Sequence, residues 1–491
     1  MLRCPSPPGG SMATMASPSP VPSSPSVTES NGNAAVGVLS YLGFTVLLLQ
    51  VGIVPMLPAI GKQLGLSPGD VAWVLTAELL AGAIGLAVFT RLADLLGKRR
   101  IMVVCLTLAL AGALLGALTH DIVMLFVARA LMGAQAPMLA LPEAIANDTM
   151  HPKRARRTIV TIHAGNSVGV AGGLLVGGLV GGVGHDYHVY FWLAAVTLAL
   201  GLASTLLVLR ESPYRAEGGF DLPGALLLGL SLVSFLLGTS KGPTWGWSSP
   251  EVLGLIIGGL VLLGLWVLVE RRSTHPLVDL TVITHAATRL PTLVVFLIAF
   301  GIYGAISAVT RFSQTNPQVA GYGFGWTPLQ ACLFAIPVGI GGLAAAWALQ
   351  PIGRRIGFAG AASVSVLCCS VAYFALAATH SIPATMMVSL AIYALGNTMG
   401  LAAAQIIVLQ AVPPSQSGVA LGVTAILYAV GNSLGSTVVG VLFSSNTLPG
   451  TQLPASGTYT AAFLVCGACT TLAALLAWRV KRVRVGELGT L

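Results

Sequence analysis

The chain has 491 residues, of which 55% are hydrophobic and only 8% charged; an ordinary soluble domain carries about a quarter charged residues, so a water-soluble globular protein is excluded. The net charge of +9 does not indicate nucleic acid, because the basic residues sit in short clusters between apolar runs and no aromatic-interleaved basic domain occurs. The seven cysteines are odd in number and all but Cys4 fall inside apolar runs, which excludes a disulfide framework.

Residues 1–34 are rich in Pro, Ser and Gly and too poor in bulky apolar side chains to support a core, so a disordered cytoplasmic tail is expected there. No apolar h-region follows Arg3 before the first long apolar run, which argues against a cleavable signal peptide; Met12 and Met15 are alternative starts. Apolar runs long enough to cross a bilayer then occupy about 36–59, 70–89, 100–118, 122–146, 158–182 and 189–209. Two more follow at about 222–240 and 251–269, joined by a turn from Lys241 to Trp247 whose tryptophans suit a membrane interface. The last six lie at about 290–311, 328–349, 358–378, 383–411, 417–443 and 459–478, for a total of about fourteen. The expected plan is a tail (1–34), an N-terminal six-helix bundle (35–210), an inserted helix pair with linkers (211–288), a C-terminal six-helix bundle (289–480) and a short cytoplasmic tail (481–491).

Lys and Arg are retained on the cytoplasmic side of a membrane. With a cytoplasmic N-terminus, the inner segments hold Arg91, Lys98, Arg99, Arg100, the run Lys153 to Arg157, Arg210, Arg215, Arg271, Arg272, Arg354 and Arg355, whereas the outer loops hold Lys62 and Lys241. An even number of spans places the C-terminus inside too. Asp94-Leu-Leu-Gly97-Lys98-Arg99 follows the second span of the first block, and Gln350-Pro-Ile-Gly353-Arg354-Arg355 follows the second span of the last block. The halves therefore read as a parallel repeat, an architecture of transporters with a binding site between the halves near the midplane.

Several segments resemble the major facilitator superfamily. Its motif A, Gly-x-x-x-Asp-Arg/Lys-x-Gly-x-Arg/Lys-Arg/Lys, corresponds to Thr90 through Arg100, with Asp94, Gly97, Arg99 and Arg100 kept and Thr90 and Leu95 departing. In this motif the resemblance implies a conformational gate: Gly97 allows a tight turn, Asp94 can sit against a helix N-terminus, and the cations can anchor to phosphates or carboxylates. Motif B corresponds to Arg129 and Gly133, with Met132 where Gln is usual. Motif C, which the family associates with antiporters, keeps Gly169, Gly173, Gly177 and Gly178 but has Leu174 in place of proline. Glycines at every fourth residue make a smooth face for close helix packing. Phe220-Asp221-Leu-Pro223-Gly224, Trp245-Gly-Trp247 and the stretch from Glu270 to Leu280 look like the inserted helix pair of the fourteen-helix drug:proton antiporters. That subfamily usually carries an Asp in its first helix, where this chain has Leu49, and an Asn where it has Val54.

Glu78 lies close to the middle of the second span, where an ionised carboxylate is penalised, and it can load and release a proton as its surroundings open to one side or the other. Arg129 is charged inside the fourth span, at roughly 3 kcal/mol on insertion scales, so it faces a cavity or a partner; structural bonding and a part in proton coupling both remain open for it. Glu143 and Asp148, beside Lys153 to Arg157, read as interface charges. Gln50, Trp73, Asn166, Tyr303, Tyr393, Asn397 and Asn432 are candidates for the cavity, with Gln405 and Gln410 as further polar groups inside spans. No phosphate-cradling loop, metal-ligand cluster or nucleophile with a base is present, so neither a metal, a cofactor nor enzymatic activity is expected. The expectation is an all-α membrane protein of the plasma membrane, two six-helix bundles plus two inserted helices, monomeric, exporting a small amphipathic compound against protons and binding no nucleic acid. A metabolite uptake symporter and a non-transporting sensor or scaffold are the alternatives.

Overall fold

The structure, a computed structural model, describes residues 32–65, 68–182, 186–273, 286–448 and 453–480. Most of the two tails, Cys4, and the end of the insert signature with His275, Pro276 and Asp279 lie outside the described residues. Among the described residues, thirteen helices are long and apolar enough to cross a membrane. We number them α1 (Gly32–Gly52), α2 (Pro68–Leu96), α3 (Lys98–Leu118), α4 (Ile122–Thr149), α5 (Pro152–Gly182), α6 (Tyr187–Val208), α7 (Leu222–Trp245), α8 (Pro250–Glu270), α9 (Ala286–Gln314), α10 (Leu329–Thr379), α11 (Pro383–Gln410), α12 (Ser417–Ser445) and α13 (Ser456–Val480).

The count falls one short of the expected fourteen because α10 runs 51 residues. That is about twice the length a ~30 Å hydrocarbon layer needs, and the helix breaks at Gly357, whose φ of 77° and ψ of 162° are non-helical. Positive φ is open to glycine because it lacks a Cβ. The first copy of the repeat breaks at Gly97 (φ 124°), so the break in the second copy lies four residues beyond Gly353, the sequence counterpart of Gly97. Two further expectations shift. Lys241 to Trp245 belong to α7 rather than to a turn, and Lys241 is buried, its Nζ 4.5 Å from the Trp73 ring centroid. Cation–π contact with Trp73, at the start of the α2 span, draws it in from the loop. The fourth span is not one regular helix, since Gly133–Leu139, with Pro137 inside, is a 3-10 segment.

One core joins α1–α6, among them Leu39, Leu42, Leu49, Met102, Met132, Tyr190 and Phe191. A second joins α9–α13, with Val295, Ile298, Phe312, Tyr373, Tyr459 and Phe463, and reaches across to Ala140, Ala144, Ile159 and Val160 of the first bundle. A smaller cluster packs α7 and α8, through Ala225, Leu228, Leu232 and Trp266, onto Ala83 and Ala87 of α2 and Val419 of α12. The inserted pair therefore lies over the seam between the bundles.

Lipid tails are as apolar as leucine, so helices in a membrane associate through close packing of small residues. A Cβ at Gly165, Gly169, Gly173 or Gly177 of α5 would strike the carbonyl of Ser40, Phe44, Leu48 or Gly52 of α1, respectively. The same device joins α9 and α12, where Gly431 and Gly435 meet the carbonyls of Phe296 and Phe300. Between bundles, Gly342 of α10 sits against Ser167 of α5, and Gly178 of α5 faces Cys332 and Leu329 of α10.

Candidate functional site

At the end of the molecule that carries Lys98 to Arg100, the two bundles are joined by a buried polar latch. α2 is helical to Leu96, and the break at Gly97 brings Lys98 back beside Asp94, with Nζ 3.1 Å from Oδ1 and both side chains fully buried. Asp94 accepts hydrogen bonds from the backbone N–H groups of Gly418 (3.1 Å) and Val419 (2.7 Å) at the N-terminus of α12, where unsatisfied N–H groups and the helix dipole favour an anion. Lys98 donates to Asp148 (2.6 Å) and to the Pro414 carbonyl (3.2 Å). Asp148 also accepts from Ser212 (2.6 Å) and Ser417 (3.2 Å). Thr90 stands where motif A has glycine, and its Oγ1 would lie 2.6 Å from a Cβ at Gly422; the small residue needed at this crossing is on α12 instead. Arg99 donates to the carbonyls of Leu206 (2.7 Å) and Thr205 (3.4 Å) at the end of α6, and Glu211 accepts from the N–H groups of Arg99 (2.9 Å) and Arg100 (3.1 Å) at the start of α3.

Deeper in the first bundle, Glu78 of α2 and Arg129 of α4 form an ion pair with both side chains buried. Gln135 donates to Glu78 Oε1 at 2.9 Å, and Arg129 Nε donates to the Val74 carbonyl at 2.9 Å. Gln135 reaches Glu78 because the 3-10 segment changes the register of α4 after Gly133, whose backbone approaches the Glu78 carbonyl so closely that a Cβ would lie 2.6 Å from it. Met132 places its Sδ 3.8 Å from Arg129 Nη1. Leu49, at the position of the first-helix Asp of the drug:proton antiporters, is fully buried, and its carbonyl accepts from the Tyr190 hydroxyl. The carboxylate beside Arg129 thus comes from α2, while α1 contributes none.

The remaining candidates divide. Tyr303 of α9 lies near enough to Glu78 and to Tyr428 of α12 to interact with them electrostatically, and it is 37% exposed. Asn397 and Asn432, both half-buried, each keep a buried Oδ1 with no hydrogen-bond partner among the described residues. Trp73 is half-buried beneath Lys241, and Gln50 is half-buried on α1. Tyr393 is buried with its ring 5.4 Å from that of Tyr373, in the core of the second bundle. Asn166 is spent on helix contact, its amide donating to the Gly43 carbonyl (3.1 Å) and the Ile162 carbonyl (3.3 Å) in the orientation that satisfies both of its ends.

Glu143 and Asp148 are not surface charges: both are buried. Their place in the sequence, next to a basic run, conceals that α4 is wedged against α5 and α12. Glu143 Oε1 lies 3.1 Å from His163 Nε2 of α5, and the Gln405 amide of α11 donates to Glu143 in its satisfied orientation. The contact of Glu143 with Gln405 joins α4 to α11, and a lone His in an apolar run gives no signal that His163 completes it. Among the described residues, no group of three or more His, Cys, Asp or Glu side chains could hold a metal ion.

A model of the Major Facilitator Superfamily matches residues 34–436. The chain is similar to the multidrug resistance protein Stp of Mycobacterium tuberculosis (strain CDC 1551 / Oshkosh), 26% identical over 407 residues, 82% of this chain and 74% of that protein. It is 27% identical to the tetracenomycin C resistance and export protein of Streptomyces glaucescens over 79% of this chain and 71% of that one. A further relative is the puromycin resistance protein pur8 of Streptomyces alboniger, 32% identical over 55% of this chain and 54% of that protein. The crystal structure of the human organic anion transporter MFSD10 (TETRAN) shares the fold, with a TM-score of 0.62 at 18% identity over 91% of this chain and 100% of that chain.

Proposed function

Because the chain belongs to the major facilitator superfamily and is a multi-pass membrane transporter, we propose that it exports small amphipathic or hydrophobic organic compounds, of the drug or antibiotic kind, across the plasma membrane by proton antiport, with both termini cytoplasmic. The observation that carries this reading is the buried contact of Glu78 with Arg129 and Gln135, within electrostatic range of Tyr303 of the other bundle. A buried carboxylate paired with a guanidinium is stable when ionised, and removing one partner leaves a costly unpaired charge. A proton delivered to Glu78 therefore changes the state of Arg129, which loses its counter-charge and keeps neutral partners, among them the Val74 carbonyl, the Met132 sulfur and the Tyr190 hydroxyl. A substrate that presents positive or hydrogen-bonding groups to the same carboxylate competes with that proton, and this competition is what exchange requires. Further support comes from three relatives named for drug or antibiotic resistance or export and from a central region with few charges, which suits an apolar or cationic compound better than a phosphorylated one. The proton gradient supplies the energy, and no cofactor takes part.

Everted membrane vesicles test the reading. The wild-type chain is expected to release protons when drug is added, and Glu78→Gln, still monodisperse in detergent, is expected to lose that release at least tenfold. Undiminished drug-dependent proton release in Glu78→Gln would remove Glu78 from the role of carrier.

A further inference from the structure

Apart from Glu78 and the pair Asp94 and Asp148 held by Lys98, the described membrane-spanning helices bury another acid with an ionisable partner, and it lies where the two bundles meet. Glu143 has no exposed surface and His163 is 6% exposed; they come from α4 and α5 of the first bundle, with Glu143 Oε1 3.1 Å from His163 Nε2. The third member, Gln405, comes from α11 of the second bundle, is 7% exposed and turns its amide N–H groups onto the Glu143 carboxylate. Four residues along α5, Ser167 and Thr398 of α11 continue this polar seam with their hydroxyls 2.8 Å apart. We propose that Glu143 and His163 form a second proton-binding site, closed off by Gln405, whose proton occupancy decides whether the bundles are held together at the end carrying Lys98.

The argument is one of charge balance. The Leu141–Thr149 part of α4, which carries Glu143, packs against α1, α3, α5 and α12. The rest of α4 packs on α2, whose Glu78 is engaged by Arg129 and whose Asp94 is engaged by Lys98. α5 packs besides on α10, whose Arg354 and Arg355 are exposed, and His163 of α5 and Gln405 of α11 close the site. α1, α11 and α12 contain no Asp, Glu, Lys, Arg or His, and their titratable groups are the phenols of Tyr41, Tyr393 and Tyr428. α3 contributes Lys98, already engaged by Asp94 and by Asp148 of α4 itself. The cations Lys153, Arg154, Arg156 and Arg157 lie in the first turns of α5, ahead of His163. Inside the seam, His163 is thus the group that can balance an ionised Glu143. With one shared proton the pair is neutral overall, and the carboxylate accepts from His163 and from Gln405 across the interface. A second proton leaves an imidazolium beside a neutral acid in a buried seam, with no counter-charge there among the described residues. It also gives Gln405 a weaker acceptor, because hydrogen bonds to a charged group are roughly twice as strong as neutral ones. Hydration relieves the buried charge, and water enters where the bundles part. Loading this site therefore favours opening at the Lys98 end, and loss of the proton favours closure. Glu78 differs in kind, since its ion-pair and hydrogen-bond partners Arg129 and Gln135 both lie in its own bundle.

The inference rests on transport by movement of the two bundles, but not on Glu78 as carrier or on the identity of the substrate. Its test uses the full chain in lipid nanodiscs with no drug and no gradient, spin-labelled at Arg100→Cys and Arg355→Cys in a background lacking the native cysteines. As pH falls from about 8 to about 5, the label separation is expected to lengthen. Glu143→Gln and His163→Asn are expected to abolish this pH response, and Glu78→Gln to retain it. A protonated-carboxyl infrared band that appears on acidification is expected to vanish in Glu143→Gln and to persist in Gln405→Leu, which keeps the pair but loses the bridge and with it the distance change. Should Glu143→Gln fail to fold, Glu143→Asp is expected to move the band. Persistence of the pH-dependent distance in His163→Asn, or absence of any band assignable to Glu143, overturns the proposal. A failure of drug-dependent proton release in vesicles leaves these readouts untouched and counts against the export reading alone.

Discussion

Lys98 holds two carboxylates at once, Asp94 at 3.1 Å and Asp148 at 2.6 Å, with every partner buried. Replacing it by methionine keeps most of the volume but leaves two buried acids facing each other without a cation. Removing one partner of a buried ion pair costs about 3–5 kcal/mol, and here the cost falls on the closed arrangement alone, because parting the bundles hydrates both acids. At about 1.4 kcal/mol per factor of ten, a cost of about 3–5 kcal/mol means that Lys98→Met is expected to raise the open fraction at this end by roughly a hundredfold to a few thousandfold. Maleimide labelling of a cysteine placed at Ser417, which is fully buried between Asp148 and Pro414, reads that fraction. An unchanged labelling rate would mean that the latch carries none of the closure energy. Lys98 looks like one more basic residue of an inner loop in the sequence; its burial makes it the hub.

At the scale of helices, the contact of α1 with α5 is a series of backbone-to-backbone approaches. Gly165, Gly169, Gly173 and Gly177 meet the carbonyls of residues 40, 44, 48 and 52, so one four-residue step is matched on both helices. A Cβ at Gly173 would lie 2.5 Å from the Leu48 carbonyl oxygen, backbone that cannot turn aside as a side chain can. Gly173→Val is therefore expected to separate the helices and sharply lower the yield of folded protein, measured by fluorescence-detected size exclusion. Gly37→Ala, on α1 where a Cβ meets nothing within 4 Å, is expected to be silent. Equal behaviour of the two would sink the packing argument. Leu174 stands in place of the motif's proline, and α5 continues through it from Pro152 to Gly182 without a break, since leucine retains the backbone N–H that proline lacks. The smooth glycine face thus persists without a kink.

For the whole molecule, the thirteen long helices give fourteen passes only if α10 turns back at Gly357. Then Arg100 and Arg355 share one side of the membrane, while Lys62 and Ser248 share the other. Cysteines at these four exposed positions are expected to divide two and two in labelling by a membrane-impermeant maleimide on intact cells, with Lys62→Cys and Ser248→Cys reacting. Labelling of Arg355→Cys together with Lys62→Cys would contradict the pass at Gly357. The inserted pair α7 and α8 lies on both α2 and α12, the helices joined by Asp94 and the N-terminus of α12, so it is packed against the seam that must move.

The sequence alone determined the all-helical membrane class and the superfamily, because a hydrocarbon layer imposes a length on every span and because motif A, the basic turns and the repeat are local patterns. It also singled out Glu78 and Arg129 as charges in apolar runs, without pairing them. Pairing is a matter of distance in space: Glu78 with Arg129 and Gln135, Lys98 with Asp148 and Pro414, and Glu143 with His163 and Gln405 join residues from separate helices. Whether a buried acid is an isolated cost or part of a balanced network depends on which helices pack beside it, and only the tertiary structure decided that.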